Sequence, residues 1–332
     1  MAATLWFCAV GVAWSLFWMR RADDSARTRM QQALWGVATR LLAAPGVAPG
    51  RTAPTVDPDR LMGHVRALAF ERWTPADRAR ARGYLAHTLI ELGHDPAQLA
   101  FAEGINLEVV RPGTDPTAGD VLLAAHYDSR HGSPGADDNA TGVAVVLEAA
   151  RLLRTPTPRG LRLVFFDAEE RGLKGSLAYA QSPSRIKDLR AVVVLEMLGY
   201  ACHTEGCQKH PEGLPLPAPT TGNFLAVVGD LEHIDLLRAF RGVERPAGGP
   251  GAVPIFALPV PGRGHALPDT RRSDHAPFWD QGIGAVMVTD TAELRNPHYH
   301  LPGDLPERLD APFFTGAAQA VLDAVVALTA TP

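Results

Sequence analysis

Acidic and imidazole side chains gather at five points of this chain, most of them directly after a run of apolar residues that is typical of a buried strand. An ionised carboxylate that leaves water is strongly destabilised unless a cation or an ion-pair partner compensates for it. Carboxylates that converge at the ends of buried strands therefore indicate a metal site. The five clusters are His126-Tyr127-Asp128, Asp137-Asp138, Glu169-Glu170, Glu196 and His300.

The elements that must position these groups alternate along the chain. Seven short runs of nearly continuous apolar residues predict strands, with helical stretches between them. Strands that are apolar on both faces are typical of a largely parallel sheet covered by helices on both sides. We therefore predict an α/β fold with a mostly parallel, twisted central sheet and helices on both faces. The predicted strands are residues 106–110, 121–125, 161–166, 191–195, 224–228, 253–258 and 285–288.

Two helices have clear signals in the sequence. Thr74 is a predicted N-cap with Pro75 in the first helical position, and Gly93 ends the amphipathic stretch that follows. Residues 143–153 are apolar almost all round and predict a helix buried against the sheet. In sheets of this class the ligand site lies outside the carboxyl ends of the strands, which is where His126, Glu169 and Glu196 fall.

The domain organisation follows from composition and hydropathy. The 332 residues, of which 46% are hydrophobic and 20% charged, suffice for one large domain with appendages. Residues 2–19 carry no charged side chain and as a helix would span about 27 Å, close to the hydrocarbon thickness of a bilayer. We predict a transmembrane anchor at residues 1–20, a linker at 21–56 and a catalytic domain at 57–332. A buried soluble helix is the alternative for the first segment.

The orientation in the membrane is left open by the sequence. Four arginines follow the apolar segment and, by the positive-inside rule, would keep the domain in the cytoplasm; they are Arg20, Arg21, Arg27 and Arg29. Cys202 and Cys207, close together in a polar loop, suit a disulfide in an oxidising compartment, although two free thiols are equally compatible with the sequence. We expect a membrane-anchored domain exported to the periplasm or the cell exterior.

The charge distribution disfavours one class of partner. The formal net charge is −4 and no run of five like charges occurs, so the chain has no long-range attraction for nucleic acid.

Six motifs, in this order, resemble the co-catalytic di-zinc aminopeptidases of the zinc exopeptidase clan, which are similar to bacterial leucyl aminopeptidases and have the glutaminyl cyclases as relatives. The resemblance covers residues 57–332, and the order and spacing of the motifs make it specific. The motifs are His126-x-Asp128, Gly135-Ala-Asp-Asp-Asn-Ala-Thr-Gly142, Asp167-Ala-Glu-Glu-Arg-Gly-Leu-Lys-Gly-Ser176, Leu195-Glu-Met-Leu-Gly199, Ser273-Asp-His-Ala-Pro-Phe278 and Asn296-Pro-His-Tyr-His-Leu-Pro302.

The resemblance implies a role for each motif. Asp137 would bridge two zinc ions, His126 and Glu196 would complete one site, and Glu170 and His300 would complete the other. Oxygen and imidazole ligands suit zinc.

Further groups would act around these ligands. Glu169 would serve as general base, Asp128 would orient His126, and the peptide bond between Asp137 and Asp138 would be cis. His298 competes with His300 for one ligand position, and the family pattern favours His300. Asp274 and His275 either line the pocket or are purely structural, and we interpret His131 as solvated.

The expected function is that of a zinc-dependent aminopeptidase that binds two zinc ions per chain and acts on peptides with a free N-terminus. Two alternatives are a glutaminyl-cyclase-like acyltransferase with a single zinc and a catalytically inactive binding domain. The second alternative is disfavoured because no ligand of the set is missing and Glu169 is present.

Overall fold

The structure is a computed structural model that describes residues 36, 53–211, 218–243 and 252–331. The predicted anchor and nearly all of the predicted linker lie outside these residues. The end of the linker is described: Ala53 and Val56 are buried, and their backbone N–H groups donate to Asp323 at 2.8 Å and to Gln319 at 3.0 Å. The folded part therefore begins slightly before the boundary that we predicted at Asp57.

A single sheet of eight strands forms the centre of the described fold, in the order β1-β2-β4-β3-β5-β8-β6-β7. The strands are β1 (Ala97–Phe101), β2 (Gly104–Arg111), β3 (Asp120–His126), β4 (Gly160–Phe166), β5 (Leu189–Glu196), β6 (Leu225–Asp230), β7 (Ile255–Val260) and β8 (Ala285–Thr289).

The sheet is mixed, which refines the prediction of a mostly parallel one. The four central strands β4, β3, β5 and β8 run parallel, and β6 and β7 are parallel to each other. The interfaces of β2 with β4 and of β6 with β8 are antiparallel. β1 and β2 form an antiparallel hairpin that closes between Phe101 and Gly104, since so short a connection can join only antiparallel strands.

All seven predicted strands are present, and none of their ends is shifted by more than two residues. β1 was missed by the sequence analysis. Its residues are largely exposed or half-buried on the edge of the sheet, so the segment lacks the continuous apolar run that marks the buried strands.

Eight α-helices are described, and the two that we predicted are among them. Thr74 caps α2 through a capping box with Asp77, and Gly93 follows that helix with φ 80°, as a helix stop requires. The helices are α1 (Pro58–Leu68), α2 (Pro75–Glu91), α3 (Gly142–Leu152), α4 (Lys174–Ala180), α5 (Pro183–Ile186), α6 (Ile234–Gly242), α7 (Ala276–Asp280) and α8 (Ala311–Ala330).

The predicted helix layers on both faces of the sheet are confirmed by strand β3. Val121 and Leu123 pack into a large core that includes buried residues of α1, α2, α3, α6 and α8. Leu122 and Ala124, which point to the opposite face, pack into a second core with residues of α4 and α7. Alternate side chains of one strand thus serve two helical layers.

Helix α8 is the one described helix that is long and apolar enough to cross a membrane. However, 78% of its most apolar window is buried inside the fold, in the core shared with β3. Its composition is that of a central core helix.

Candidate metal centre

The carboxyl ends of three neighbouring parallel strands deliver most of the site. β3 ends at His126 and β5 ends at Glu196, while β4 leads within a few residues into the short helical turn Glu169–Arg171. These strands are adjacent, so their ends meet at one edge of the sheet. A π-helical segment, Ala136–Thr141, enters the same edge before α3, and His300 arrives from the segment after β8.

Two groups of potential ligands share one carboxylate, that of Asp138. In the first group, Nε2 of His126 lies 3.3 Å from Oδ1 of Asp138 and 3.4 Å from Oε1 of Glu196. In the second, Nε2 of His300 lies 3.1 Å from Oδ2 of Asp138 and 3.2 Å from Oε2 of Glu170. Within each group the ligand atoms all lie within 4.8 Å of one another. Each oxygen of Asp138 thus serves a different group.

The structure corrects the expectation that Asp137 is the shared residue. Its Oδ1 accepts a hydrogen bond from the backbone N–H of Gly199 at 2.9 Å, and its Oδ2 accepts one from the amide of Asn296 at 2.8 Å. Asp137 therefore faces away from the imidazoles. The cis peptide bond is displaced by one residue in the same way, since it joins Asp138 and Asn139. His126, Glu170, Glu196 and His300 lie where the resemblance implies.

The loop that carries Asp138 is held by side chains to which the sequence analysis gave no role. Asp304 accepts hydrogen bonds from the backbone N–H groups of Asp137 at 2.8 Å and Asp138 at 3.1 Å. Asn139 donates to the carbonyl of Leu195, and its Oδ1 accepts from Met197. A fully buried arginine, Arg72, also contacts this loop. Asp304 follows His300 in the turn Leu-Pro-Gly-Asp. This proximity to a predicted ligand is the sequence signal that could have identified Asp304.

Asp128 lies beside His126 and bonds the backbone of Glu169 and Glu170. Its Oδ1 lies 3.3 Å from Nδ1 of His126, although that ring nitrogen makes no hydrogen bond among the described residues. Its two carboxylate oxygens accept hydrogen bonds from the backbone N–H groups of Glu169 at 3.1 Å and Glu170 at 3.2 Å. Asp128 therefore contacts the predicted base segment and lies beside the histidine that we expected it to orient.

The close spacing of several buried carboxylates shifts the pKa values of the groups in this site. Burial and repulsion from Asp138 raise the pKa of Glu170 to about 7. Burial opposes protonation of His300, but its contacts with Asp138 and Glu170 raise its pKa to about 9. Burial likewise raises the pKa of Glu169 well above its usual value, with repulsion from Glu196 adding to the effect and His126 opposing it. In the bare protein, the imidazoles of His126 and His300 offset part of the negative charge here.

The other residues of the motifs separate into distinct roles. Ser273 donates to Oε2 of Glu196 at 2.6 Å, and the buried Asp274 accepts from the hydroxyl of Ser176. His275 is fully buried against Trp279 and donates to the carbonyl of Thr270, which makes it structural. His131 is exposed and pairs with Glu71, in line with the prediction that it is solvated.

A cavity opens beside the two ligand groups. Asp138, Glu169, Glu196 and His300 line it. Its lining also includes charged residues outside the ligand groups, and a set of apolar residues at alternate positions in or next to β6, β7 and β8: Phe224, Ala226, Val228, Phe256, Leu258 and Met287. The cavity therefore combines the side chains of the ligand groups with an apolar wall.

The loop after β5 borders this cavity and contains a disulfide between Cys202 and Cys207, which resolves the two alternatives left by the sequence. Gln208, directly after the disulfide, lines the cavity and accepts a hydrogen bond from Nε of the buried Arg295 at 2.8 Å. The same arginine donates to the carbonyl of Phe224 at 2.8 Å. Arg295 thus ties the disulfide loop to the apolar wall.

Comparison with known proteins gives three kinds of match. Residues 106–221 match peptidase family M28. The chain is 36% identical over 223 residues to the uncharacterized protein YfbL of Escherichia coli, which covers 63% of this chain and 65% of YfbL. It is 45% identical over 83 residues to aminopeptidase YwaD of Bacillus subtilis, which covers 24% of this chain and 18% of YwaD. The matches thus span less than two thirds of either relative.

The fold is also found among solved structures. A Bacteroides thetaiotaomicron glutaminyl cyclase superposes with a TM-score of 0.60 at 17% identity, covering 82% of this chain and 99% of that one. At this identity the likeness concerns the fold alone. The match to residues 106–221 and the aminopeptidase relative identify this part of the chain with peptidase family M28, and its likeness is to the zinc exopeptidase-like aminopeptidases.

Proposed function

We propose that this protein is an aminopeptidase that binds two zinc ions per chain and hydrolyses the first peptide bond of peptides with a free N-terminus. The observation that carries the proposal is the sharing of Asp138 between two three-residue ligand groups, with Glu169 lining the same cavity. A bridging carboxylate is the arrangement that two adjacent divalent cations need.

The residues fit zinc by their chemistry and by one unsatisfied atom. Each group offers one imidazole nitrogen and two carboxylate ligands, a donor set that zinc accepts. The side chain of Glu170 is only 4% exposed, yet its Oε1 has no hydrogen-bond partner among the described residues. A buried carboxylate oxygen without a donor is costly, and a cation beside it would remove that cost.

When bound, a pair of zinc ions supplies a Lewis acid and lowers the pKa of an attacking water toward neutrality. Glu169 is the residue that we assign to move the proton: it takes one from the water and passes it to the amine of the leaving peptide. Its carboxylate accepts no hydrogen bond from the described residues and borders the cavity, so it is available to substrate. Asp128 holds the backbone of this residue through its N–H group.

The cavity supports a class of substrate. The carboxylate of Glu169, which lines the cavity and is not a proposed zinc ligand, would attract the positive charge of a free N-terminal amine. The apolar wall formed by Val228, Leu258 and Met287 suits an apolar side chain on the first residue, since burying apolar surface there is favourable. We propose peptides with an apolar N-terminal residue as substrates.

The cyclase alternative shares the fold, so the fold does not decide between the two activities. Two complete ligand groups favour two ions and hence hydrolysis over the single zinc expected for a cyclase. Metal analysis of the purified protein tests the proposal, together with a panel of free and N-blocked peptides and N-terminal glutaminyl peptides. Two zinc ions and cleavage of free peptides only are expected. One zinc with cyclisation of glutaminyl peptides would replace the proposal by the alternative, and no turnover would favour a binding domain.

We also propose that the domain resides outside the cytoplasm, anchored by the N-terminal segment 1–20. The disulfide between Cys202 and Cys207 supports this location, because structural disulfides persist in oxidising compartments. Protease accessibility in spheroplasts tests it: digestion of the domain in intact spheroplasts is expected, and protection would place the domain in the cytoplasm.

A further inference from the structure

Arg72 lies between α1 and α2 and is almost completely buried, with 1% of its surface exposed. Among the described residues, no carboxylate oxygen forms an ion pair with its guanidinium, and every hydrogen bond of that group ends on a backbone carbonyl. A buried cation without a direct ion-pair partner is costly, so the residue calls for an explanation beyond packing.

The carbonyls that Arg72 contacts belong largely to two segments. Its Nε donates to Tyr127 at 2.8 Å, in the segment that directly follows the ligand His126. Its terminal nitrogens donate to Pro134 at 2.7 Å and to Gly135 at 2.8 Å, in the segment that leads into the shared ligand Asp138. Further contacts reach the carbonyls of Asp128, Asp138, Leu68 and Phe70. A planar guanidinium can span several carbonyls at once, which an ammonium cannot.

The surrounding backbone is shaped to admit this group. The N–H of Arg72 donates to the hydroxyl of Ser129 at 2.9 Å, and that hydroxyl donates to the carbonyl of Ser133. Gly135 has φ 62°, and a Cβ there would lie 2.6 Å from a terminal nitrogen of Arg72 and 2.3 Å from the carbonyl oxygen of Asp138. The glycine thus leaves the space in which the guanidinium joins the two segments.

The charge of Arg72 also matches its surroundings. Burial lowers its pKa to about 10, with the carboxylates of Asp128, Asp138, Asp304 and Glu170 acting in the opposite direction, so the group remains charged near neutrality. These carboxylates are two of the potential zinc ligands and two residues that hold the ligand segments. The cation therefore offsets part of the negative charge of the site before any metal is bound.

We infer that Arg72 is a positioning residue of the metal centre: it holds the segment after His126 and the segment before Asp138 at the separation that ligation by both residues requires. This inference rests on the proposed zinc site. It predicts that the zinc affinity of the protein depends on a side chain that touches no metal.

The test compares Arg72→Lys and Arg72→Met with Arg162→Lys in the full-length protein. Arg162 is a matched control because it is also largely buried and hydrogen-bonded, to Asp120 and to the carbonyl of Arg185. It lies near the amino ends of β3 and β4, away from the metal site at their carboxyl ends. Zinc affinity is measured by competition with a chelator, zinc content by elemental analysis, and the folding of the metal-free protein by thermal denaturation. These measurements do not depend on activity.

We expect Arg72→Lys to keep the charge, lose the bridging geometry and weaken zinc binding by about 10-fold to 100-fold, the range for residues that orient metal ligands. Arg162→Lys should lower the melting temperature and leave zinc affinity unchanged. Native zinc affinity in a folded Arg72→Lys or Arg72→Met variant overturns the inference. If neither variant folds, Ser129→Ala decides, since it removes the hydroxyl that anchors the Arg72 backbone and bonds the carbonyl of Ser133: severalfold weaker zinc binding is expected, and native affinity overturns the inference. A native protein that binds no zinc would instead refute the proposed function.

Discussion

Asp137 and Asp138 are adjacent in the chain, but their carboxylates lie in separate environments. That of Asp138 touches two imidazoles, with Oδ1 3.3 Å from His126 and Oδ2 3.1 Å from His300. That of Asp137 is fully buried and receives hydrogen bonds from Gly199 and Asn296. Burial and the neighbouring carboxylates of Asp290 and Asp304 raise the pKa of Asp137 well above its usual value. One acid is therefore placed to bind metal, whereas the other is held by hydrogen bonds outside both ligand groups.

This difference predicts opposite results for two neighbouring substitutions. Asp138→Asn should reduce zinc content from two ions to one or fewer, because it removes the carboxylate that both groups share. Asp137→Asn should keep both ions, since Asp137 belongs to neither ligand group, although it should lower the melting temperature because an amide cannot accept both hydrogen bonds that the carboxylate receives. Elemental analysis after dialysis measures both. Normal zinc content in Asp138→Asn, together with metal loss in Asp137→Asn, would restore Asp137 as the shared ligand.

Glu169→Gln should separate metal binding from turnover. Glu169 belongs to neither ligand group, so the variant should retain zinc. Loss of a general base should lower kcat by about 10²-fold to 10⁴-fold. The matched control is Glu103→Gln, which changes an exposed glutamate and should leave kcat unaffected. Near-native kcat in a zinc-loaded Glu169→Gln protein would show that another group moves the proton.

Ala226→Leu tests the assignment of the apolar wall. Ala226 lies on the cavity between Phe224 and Val228, and a larger side chain there should shorten the space for the first residue of the substrate. The ratio of kcat/KM for a leucyl substrate to that for an alanyl substrate should fall by about 10-fold, the effect of a few methylene groups in an apolar pocket. Anilides of the two amino acids provide the measurement. An unchanged ratio would place the side-chain pocket elsewhere.

His275 predicts a loss of stability in mild acid. Burial lowers its pKa to about 4 in the folded protein, against an ordinary value of 6.5. As the pH falls below 6.5 the unfolded chain takes up a proton that the folded chain refuses. The free energy of unfolding should therefore drop by about 1.4 kcal/mol per pH unit until the pH approaches 4, from this residue alone.

Urea denaturation at pH 6.5 and pH 5.0 checks this prediction in the native protein and in His275→Gln. The variant lacks the titrating group, so the native protein should lose about 1.6 kcal/mol more than the variant over this interval. The comparison cancels the contribution of the metal ligands, which both proteins share. Equal losses in the two proteins would mean that His275 does not titrate in this way.

The sequence predicted the main elements because burial on two faces leaves a visible signal. β3, β4, β5 and β8 are nearly continuous apolar runs, and the neighbouring ends of β3, β4 and β5 bring together His126, the Glu169–Glu170 pair and Glu196. The capping box at Thr74 was equally local, since a cap is formed by residues three apart. The edge strand β1 was not predicted, because its residues are exposed or half-buried and do not form such a run. The order and direction of the strands at the edges of the sheet could not be predicted either, because no local sequence pattern encodes them.

The tertiary structure decided which of two adjacent aspartates is shared and what holds it there. The direction of a side chain depends on the path of its backbone, and Asp138 has non-helical angles inside a helical segment, which spacing in the sequence does not reveal. Asp304 and Arg72 come from distant parts of the chain and act through backbone N–H and carbonyl groups, whose positions exist only once the chain has folded. The sequence therefore identified the potential ligand residues, whereas contacts between distant segments determine which role each residue has.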